Sequence, residues 1–227
     1  MSQSPNSLPV VHSPDRRLLL LGAGMLLGVT PARADTLWKA VLDNHMATVG
    51  FAPSRVRQTI RASRKGEPER VWSLSKVLSD WQDDKPVYRT EVLHPTPADR
   101  SIDPPTTDLQ TLLAKLEQLA IKADAKVKRT DHASLDGASG TRLDTDAPFV
   151  GLSFLVEPGG ARLLRSEMTF AVPLKVSGKV MRRYAAEQRG LHLPSSSVAE
   201  LSLREGLTTL QMRGEETYEA WRAPRTR

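Results

Sequence analysis

The sequence predicts an α+β protein built on a strongly curved antiparallel sheet, an incomplete β-barrel, with one or two helices packed in its concave face. Most strand patterns alternate apolar and polar residues, which is typical of an antiparallel sheet that is wet on one face. The clearest helical pattern carries a single apolar stripe and therefore needs an apolar surface to cover it. A concave sheet face meets both requirements with one shared core.

The first half of the chain predicts a helix, a meander of strands and a second helix. Leu37 and Val41 lie in one helical row of residues 36–49, and Trp38 and Leu42 lie in the next row. Three strand patterns follow near residues 56–62, 71–81 and 87–93, separated by turns at residues 66–68 and 83–86. A proline-rich stretch, residues 95–105, then predicts an extended loop before the second helix.

The second helix is predicted over Thr107 to Ala123. Its start, Thr107-Asp108-Leu109-Gln110, fits a capping box. Five leucines and two alanines then fall at helical spacing: Leu109, Leu112, Leu113, Leu116, Leu119, Ala120 and Ala123. This stripe is expected to lie on the concave face of the sheet.

The second half of the chain predicts about five more strands. Residues 129–148 are polar and rich in turn residues, which indicates a loop or a hairpin. Strand patterns follow at residues 149–156, 164–172, 176–184, 199–203 and 207–212, and Tyr218 and Trp221 end a last strand. Gly178 inside one pattern is typical of a bulge, and residues 190–194 are expected to form a turn.

The N-terminal 34 residues predict an export signal that precedes one domain, residues 35–227. Arg16 and Arg17 lead into the apolar run Leu18 to Val29, and a small-residue cleavage site follows near Ala34. The run is shorter than the roughly 20 residues that span a bilayer. Paired arginines fit a twin-arginine signal, and an ordinary Sec signal fits as well. The mature protein is expected in the periplasm without a membrane anchor.

Composition excludes several classes of function. The 227 residues contain no cysteine, so disulfides, thiol nucleophiles and iron–sulfur clusters are excluded. The net charge of +6 is spread along the chain, which is unlike the clustered basic footprint of a nucleic-acid-binding protein. No serine elbow, HExxH motif or phosphate-binding loop is present. We therefore expect no enzyme activity, no cofactor and no metal.

Three sets of polar residues could have a functional role or could simply lie on the solvated surface. His132 lies between Asp131 and Asp136, a pattern that allows an acid–base pair or a metal site, although a solvated loop explains it more simply. Asp80, Asp83, Asp84 and Glu91 do not have the spacing of a calcium loop. A set of arginines offers either a cationic rim for anionic headgroups or a solvated outer face: Arg162, Arg165, Arg182, Arg183, Arg222, Arg225 and Arg227.

The apolar faces supply the candidate binding residues. Ligand pockets are largely apolar with few polar groups, so large apolar side chains on the inward faces either line a cavity or fill a closed core. The candidate cavity-lining residues are Trp72, Leu74, Leu112, Leu116, Met168, Phe170 and Tyr184.

This arrangement resembles the LolA/LolB-like superfamily of periplasmic proteins that handle lipidated partners. The resemblance rests on the helix Leu37 to Val49 before a meander, on the plug-like helix Thr107 to Ala123 and on the element Gly190-Leu191-His192-Leu193-Pro194. Arg189 stands where that family usually has Asp or Asn. The resemblance implies an incomplete barrel with an apolar cavity. It also implies a role in outer-membrane lipoprotein sorting.

The predicted function follows from export, the plug-like helix and the missing catalytic set. We expect a periplasmic protein that holds a lipid, an acyl chain, another hydrophobic ligand or an acylated partner in an apolar cavity. The alternative is a protein-interaction or envelope-assembly factor without a small-molecule ligand. A hydrolase that uses His132 with Asp131 or Asp136 is a third hypothesis. No nucleic acid is expected as a partner.

Overall fold

The computed structural model describes residues 31–48, 50–82, 85–94, 107–121, 125–160, 162–173, 175–205 and 208–223. Most of the predicted export signal and the predicted proline-rich loop lie outside the described residues. The first described element, helix α1 (Pro31–Thr48), already spans the predicted cleavage site near Ala34.

Within the described residues, helices and strands follow one another in the predicted order, with ten strands instead of about eight. Strands β1 (Ala52–Arg64), β2 (Arg70–Gln82) and β3 (Lys85–His94) come after α1 and precede helix α2 (Thr107–Ala120). The remaining strands are β4 (Lys128–Leu135), β5 (Ala138–Ala147), β6 (Val150–Val156), β7 (Leu163–Val172), β8 (Val176–Gln188), β9 (Leu191–Glu205) and β10 (Thr208–Arg222).

All ten strands form one curved antiparallel sheet that does not close into a barrel. The strand order is β3-β2-β1-β10-β9-β8-β7-β6-β5-β4, so the first three strands and the last seven meet where β1 pairs with β10. The chain leaves the sheet at β3 on one edge and re-enters it at β4 on the other. Helix α2 lies in this connection and packs over β5 and β6, which confirms the predicted α+β sheet with helices on one face.

The two faces of the sheet differ in the way that the sequence alternation predicts. The face covered by the helices, here called the inner face, carries Ile60, Trp72, Met168 and Met212 in one apolar core with both helices. The outer face carries charged side chains, such as Arg57, which lies 2.9 Å from Glu219. Burial of the inner face supplies the apolar free energy that holds the helices on the sheet.

Helix α1 is fixed to the sheet by apolar and polar contacts. Trp38 and Val41 are buried, and the Trp38 ring lies 5.9 Å from the Phe154 ring of β6. The Asn44 side chain donates to the His192 carbonyl oxygen at 3.1 Å and accepts from the His192 amide at 2.8 Å. Asn44 thereby satisfies both main-chain groups of His192, as a neighbouring strand would.

Helix α2 lays only part of the predicted leucine stripe on the inner face, and the placement of Leu119 in that stripe is wrong. Leu116 is 5% exposed and Ala120 is 3% exposed, whereas Leu119 is 48% exposed on the opposite side. Leu112 and Leu113 are partly buried against the same core. The helix ends at Ala120, three residues before the end that the sequence pattern predicts.

Three local predictions receive a definite outcome in the C-terminal half. The polar region 129–148 forms the β4–β5 hairpin, one of its two predicted structures. The predicted bulge at Gly178 is wrong: β8 keeps its register with β7 and β9 there, and the shifts lie between Arg183 and Ala186. The predicted turn at residues 190–194 is shorter, because β9 already begins at Leu191.

Candidate functional site

A pocket of about 210 Å³ lies between α2 and the inner face of the sheet. Its sheet side is formed by residues of β1, β8, β9 and β10. One wall is apolar and includes Ile60, Leu113, Val180, Leu201 and Met212. The other wall is polar and consists of Gln58, Glu117, Arg182, Ser197, Glu216 and Tyr218.

The polar wall is part of a continuous row across five adjacent strands. Directly paired residues of antiparallel strands point to the same face. Gln58 pairs with Glu216, Glu216 with Ser197, Ser197 with Arg182, and Arg182 with Ser166. These five residues, here called the polar row, therefore cross the inner face from β1 to β7 inside an otherwise apolar core.

Helix α2 covers the positive member of the polar row with a carboxylate. Arg182 donates from Nη1 to Glu117 Oε1 and from Nη2 to Glu117 Oε2, the second bond measuring 3.0 Å. Burial by itself would raise the pKa of Glu117, but the charge and hydrogen bonds of Arg182 lower it below its usual value. Burial opposes the charge of Arg182, and Glu117 outweighs it and raises the Arg182 pKa.

Helix α1 adds a titratable side chain to the same cluster. Burial lowers the pKa of His45 below its ordinary value, Glu117 partly opposes this effect, and Arg182 reinforces it. The His45 side chain is half-buried. The three side chains His45, Glu117 and Arg182 join both helices to β8 electrostatically.

The negative end of the polar row is organised around Glu216. Its Oε1 accepts from Gln58 Nε2 at 2.7 Å, and its Oε2 accepts from the Tyr218 hydroxyl at 2.6 Å. Burial, followed by the charge of Glu216, raises the pKa of Tyr218 above its usual value. The same two causes raise the pKa of Tyr88 to about 12. Glu216 therefore projects a negative charge into this part of the core.

The seven residues predicted to line a cavity all lie in the core. Six of them are buried, and Leu112 is partly buried against them. The pocket of about 210 Å³ is lined by other residues, which lie on the same face and on α2. The structure therefore brings together the predicted set Trp72, Leu74, Leu112, Leu116, Met168, Phe170 and Tyr184 as one apolar cluster beside the pocket.

Arg182 fits neither of the two predictions made for the arginines, a cationic rim for anionic headgroups or a solvated outer face. Arg182 lies on the inner face, because it is two residues after Val180 in β8 and so points to the same side of the sheet. Its side chain donates to Glu117 across the core. Arg183, one residue later, is exposed and donates to Asp136 at 2.8 Å. The pair Arg182-Arg183 is therefore split between the two faces and does not form one cationic rim.

Among the described residues, those weighed for catalysis or metal binding do not converge, and Asp83 and Asp84 lie outside the described part of the chain. His132 is exposed in β4, where the register shifts, and its φ is 54°. Asp131 accepts from Arg129 and Thr141, and Asp136 accepts from Arg183. Within the described part of the chain, no group of three or more His, Asp or Glu side chains is placed to hold a metal ion.

A larger depression of about 490 Å³ lies on the outer face and is open to solvent. Its charged side chains already pair with one another: Arg61 with Glu69 at 3.3 Å, Lys179 with Glu200 at 3.7 Å, and Arg213 with Glu200 at 2.7 Å. The inner pocket, by contrast, combines an apolar wall with buried polar groups. We therefore take the inner pocket as the candidate site.

Sequence reasoning missed most of the polar row, although a signal for it exists. Gln58 stands between Val56 and Ile60 at two-residue spacing, where the alternation calls for an apolar side chain. Arg182 stands in the same way between Val180 and Tyr184. A polar residue in the apolar phase of a strand is a candidate for a buried functional group.

No helix in the part of the chain that the structure describes is both long and apolar enough to cross a membrane. No family model matches the chain, and no curated protein matches it.

Three solved structures are similar to the chain over most of its length. A LolA superfamily protein, NE2245 from Nitrosomonas europaea, has 11% identity and a TM-score of 0.36, with 86% of this chain and 94% of that chain covered. The MucA/MucB complex of Pseudomonas aeruginosa has 8% identity and a TM-score of 0.22, with 86% and 100% covered. A second structure, of MucB with MucA(peri), has 10% identity and a TM-score of 0.18, with 82% and 99% covered. The first of these structures carries the name of the superfamily that the sequence resembles.

Proposed function

We propose that this protein is a non-enzymatic binding protein of the periplasm that holds the apolar part of a ligand between α2 and the inner face of its sheet. The observation that supports the proposal is the pocket of about 210 Å³, whose apolar wall is shared between Leu113 of α2 and the strands. A lipid, an acyl chain or an acylated partner fits this wall chemically. Apolar burial, at about 25 cal/mol per Å² removed from water, drives the binding.

The size of the pocket makes movement of α2 part of the proposal. Pockets for drug-sized ligands typically measure about 300–1,000 Å³, and this pocket is smaller. A full acyl chain therefore requires α2 to move away from the sheet. The ligand then replaces α2 against the apolar wall, so that the apolar area exposed by the helix is covered again.

The first test is native mass spectrometry of protein purified gently from the periplasm, followed by organic extraction. The proposal expects an apolar molecule at about one per chain. Leu112→Asp, on the sheet-facing side of α2, should reduce the retained ligand, and Lys115→Asp, on the exposed side, is the matched control. Equal retention in two folded variants contradicts a role for α2.

Helix movement is testable because the chain has no cysteine. Spin labels at Gln118→Cys on α2 and Thr217→Cys on β10 occupy two exposed positions and are the only thiol-linked probes. The distance between the labels should increase when an extracted lipid is added. An unchanged distance with bound lipid contradicts the opening of α2.

The second candidate function is recruitment of another protein at a sheet edge. Strand β3 is an edge strand, and no other strand in the described residues pairs with its free side. An edge strand offers its unpaired main-chain groups to an extended segment of a partner. A photo-crosslinker at exposed Leu93 should capture a periplasmic partner, while one at exposed Gln211 on the outer face should not. Equal capture at both positions contradicts this function.

A further inference from the structure

One buried oxygen of a residue that lines the pocket has no hydrogen-bond partner. Gln58 is only 8% exposed, and its Nε2 donates to Glu216 Oε1 at 2.7 Å. This bond fixes the orientation of the amide, because an ionised carboxylate accepts hydrogen bonds and does not donate them. Gln58 Oε1 is left without a donor, although it is buried and belongs to a residue that lines the pocket.

The neighbouring carboxylate has donors but no counter-ion. Glu216 accepts from Gln58 and from Tyr218, both of which are neutral. Across the residues that the structure describes, no Lys, Arg or His nitrogen forms an ion pair with Glu216, and Arg182 is engaged by Glu117. The Glu117–Arg182 pair is neutral as a unit, so this end of the pocket carries the negative charge of Glu216.

These two acceptors define the head group of the ligand. We propose that the pocket binds an amphiphile with a protonated amine, whose ammonium group donates to Gln58 Oε1 and to the Glu216 carboxylate while its alkyl chain lies against Ile60, Leu201 and Met212. An ammonium group has three donors and a positive charge, so it satisfies the oxygen without a partner and compensates the carboxylate. A carboxylate or phosphate head would instead meet the charge of Glu216. This inference rests on the proposed function and specifies its ligand class.

The test compares three probes with the same alkyl chain and different heads: octylammonium, octanol and octanoate. Titration calorimetry of the full mature chain should give octylammonium a dissociation constant about tenfold lower than that of octanol, because a charge-assisted hydrogen bond is roughly twice as strong as a neutral one. Octanoate should bind most weakly. The 227-residue chain has a net charge of +6, and loss of residues 1–34 removes only three arginines and one aspartate, so the mature chain stays positive. That charge by itself would favour octanoate, so a preference for octylammonium must arise locally.

Variants assign the preference to the two acceptors. Glu216→Gln should bring octylammonium and octanol to nearly equal affinity. Gln58→Met should lower the affinity of both octylammonium and octanol, because each donates a hydrogen bond to Gln58 Oε1. Glu215→Gln is the matched control, because Glu215 is the preceding residue of β10 and is exposed on the outer face. The urea midpoint of each variant verifies that it is folded.

The outcomes separate the head-group inference from the proposed function. Equal affinity for the three probes, or tightest binding of octanoate, overturns the inference and leaves an apolar binding site. No binding of any probe overturns both the inference and the proposed use of this pocket. Loss of the preference in Glu215→Gln as well as in Glu216→Gln also overturns the assignment to the pocket.

Discussion

Arg182 of β8 and Glu117 of α2 form an ion pair with two hydrogen bonds that joins α2 to the sheet. The side chain of Glu117 is 12% exposed and that of Arg182 is 25% exposed, so water screens the pair weakly. The pair connects α2 to the polar row, because Arg182 is a member of that row. Whatever moves α2 away from the sheet must separate these two charges or carry a substitute for one of them.

Removal of one partner should destabilise the fold strongly. Glu117→Gln leaves Arg182 in the core without its counter-ion, and breaking a buried pair typically costs about 3–5 kcal/mol. The double variant Glu117→Leu/Arg182→Met should recover most of that loss, because replacement of a buried pair by apolar residues is often neutral or stabilising. The free energy of unfolding from urea titrations measures both effects.

An exposed ion pair of α1 provides the control for this prediction. Lys39 and Asp43 form a pair in which both side chains are mostly exposed, and such pairs contribute about 0–1 kcal/mol. Asp43→Asn should therefore change the unfolding free energy by less than about 1 kcal/mol. A similar loss in Asp43→Asn and in Glu117→Gln contradicts the importance of burial at Arg182.

The two sides of α2 should respond differently to loss of a leucine. Leu116→Ala removes a buried side chain from the core and should cost about 2–5 kcal/mol. Leu119→Ala changes a half-exposed position of the same helix and should stay within about 0.5 kcal/mol. Urea unfolding of the two variants compares them directly. Equal losses would show that the leucine stripe is not what holds α2 on the sheet.

Acid should weaken the fold in two steps. The pKa of His45 is lowered in the folded state, so the unfolded chain binds a proton first, and stability falls as the pH drops from about 7 through the usual histidine range. The pKa of Glu117 is also lowered in the folded state. Its contribution is present above the usual glutamate pKa of about 4.3 and is lost as the pH falls through the lower folded value.

His45→Gln separates the two steps. In this variant the free energy of unfolding should depend much less on pH between about pH 7 and about pH 5, and the decrease at lower pH should remain. His94→Gln removes an exposed histidine of β3 and serves as the control. The urea midpoint of each variant across this pH range is the measurement. If His94→Gln flattens the upper step and His45→Gln does not, the assignment to the α1–α2–β8 cluster is wrong.

Two glycines on neighbouring parts of the sheet should tolerate alanine very differently. A Cβ at Gly178 would overlap the backbone oxygen of Glu200 and lie 3.0 Å from Leu201 Cα, so Gly178→Ala should cost about 1–3 kcal/mol by overpacking β8 against β9. A Cβ at Gly214 meets nothing within 4 Å. Gly214→Ala should be neutral or stabilise by up to about 1 kcal/mol through the unfolded chain. Thermal unfolding that ranks the two variants in the opposite order contradicts this account.

Local periodicity in the sequence determined the elements and their faces. The two-residue alternation of β1 places Val56 and Ile60 inside, and the helical spacing of Leu112 and Leu116 places them against the sheet, because each pattern follows from the geometry of its own element. The same alternation marks Gln58 as a polar residue on an apolar face. It does not say which other polar residue Gln58 will meet.

Only the tertiary structure determined that Gln58 contacts Glu216. Gln58 and Glu216 are separated by 158 positions in the chain, and they bond because β1 pairs with β10 in a single register. Glu117 reaches Arg182 because α2 crosses the inner face between the two edges of the sheet. Strand order and register depend on the packing of the whole core, which no local repeat encodes. The sequence therefore predicted the apolar face, but it did not predict the contacts of the polar row that give the pocket its chemistry.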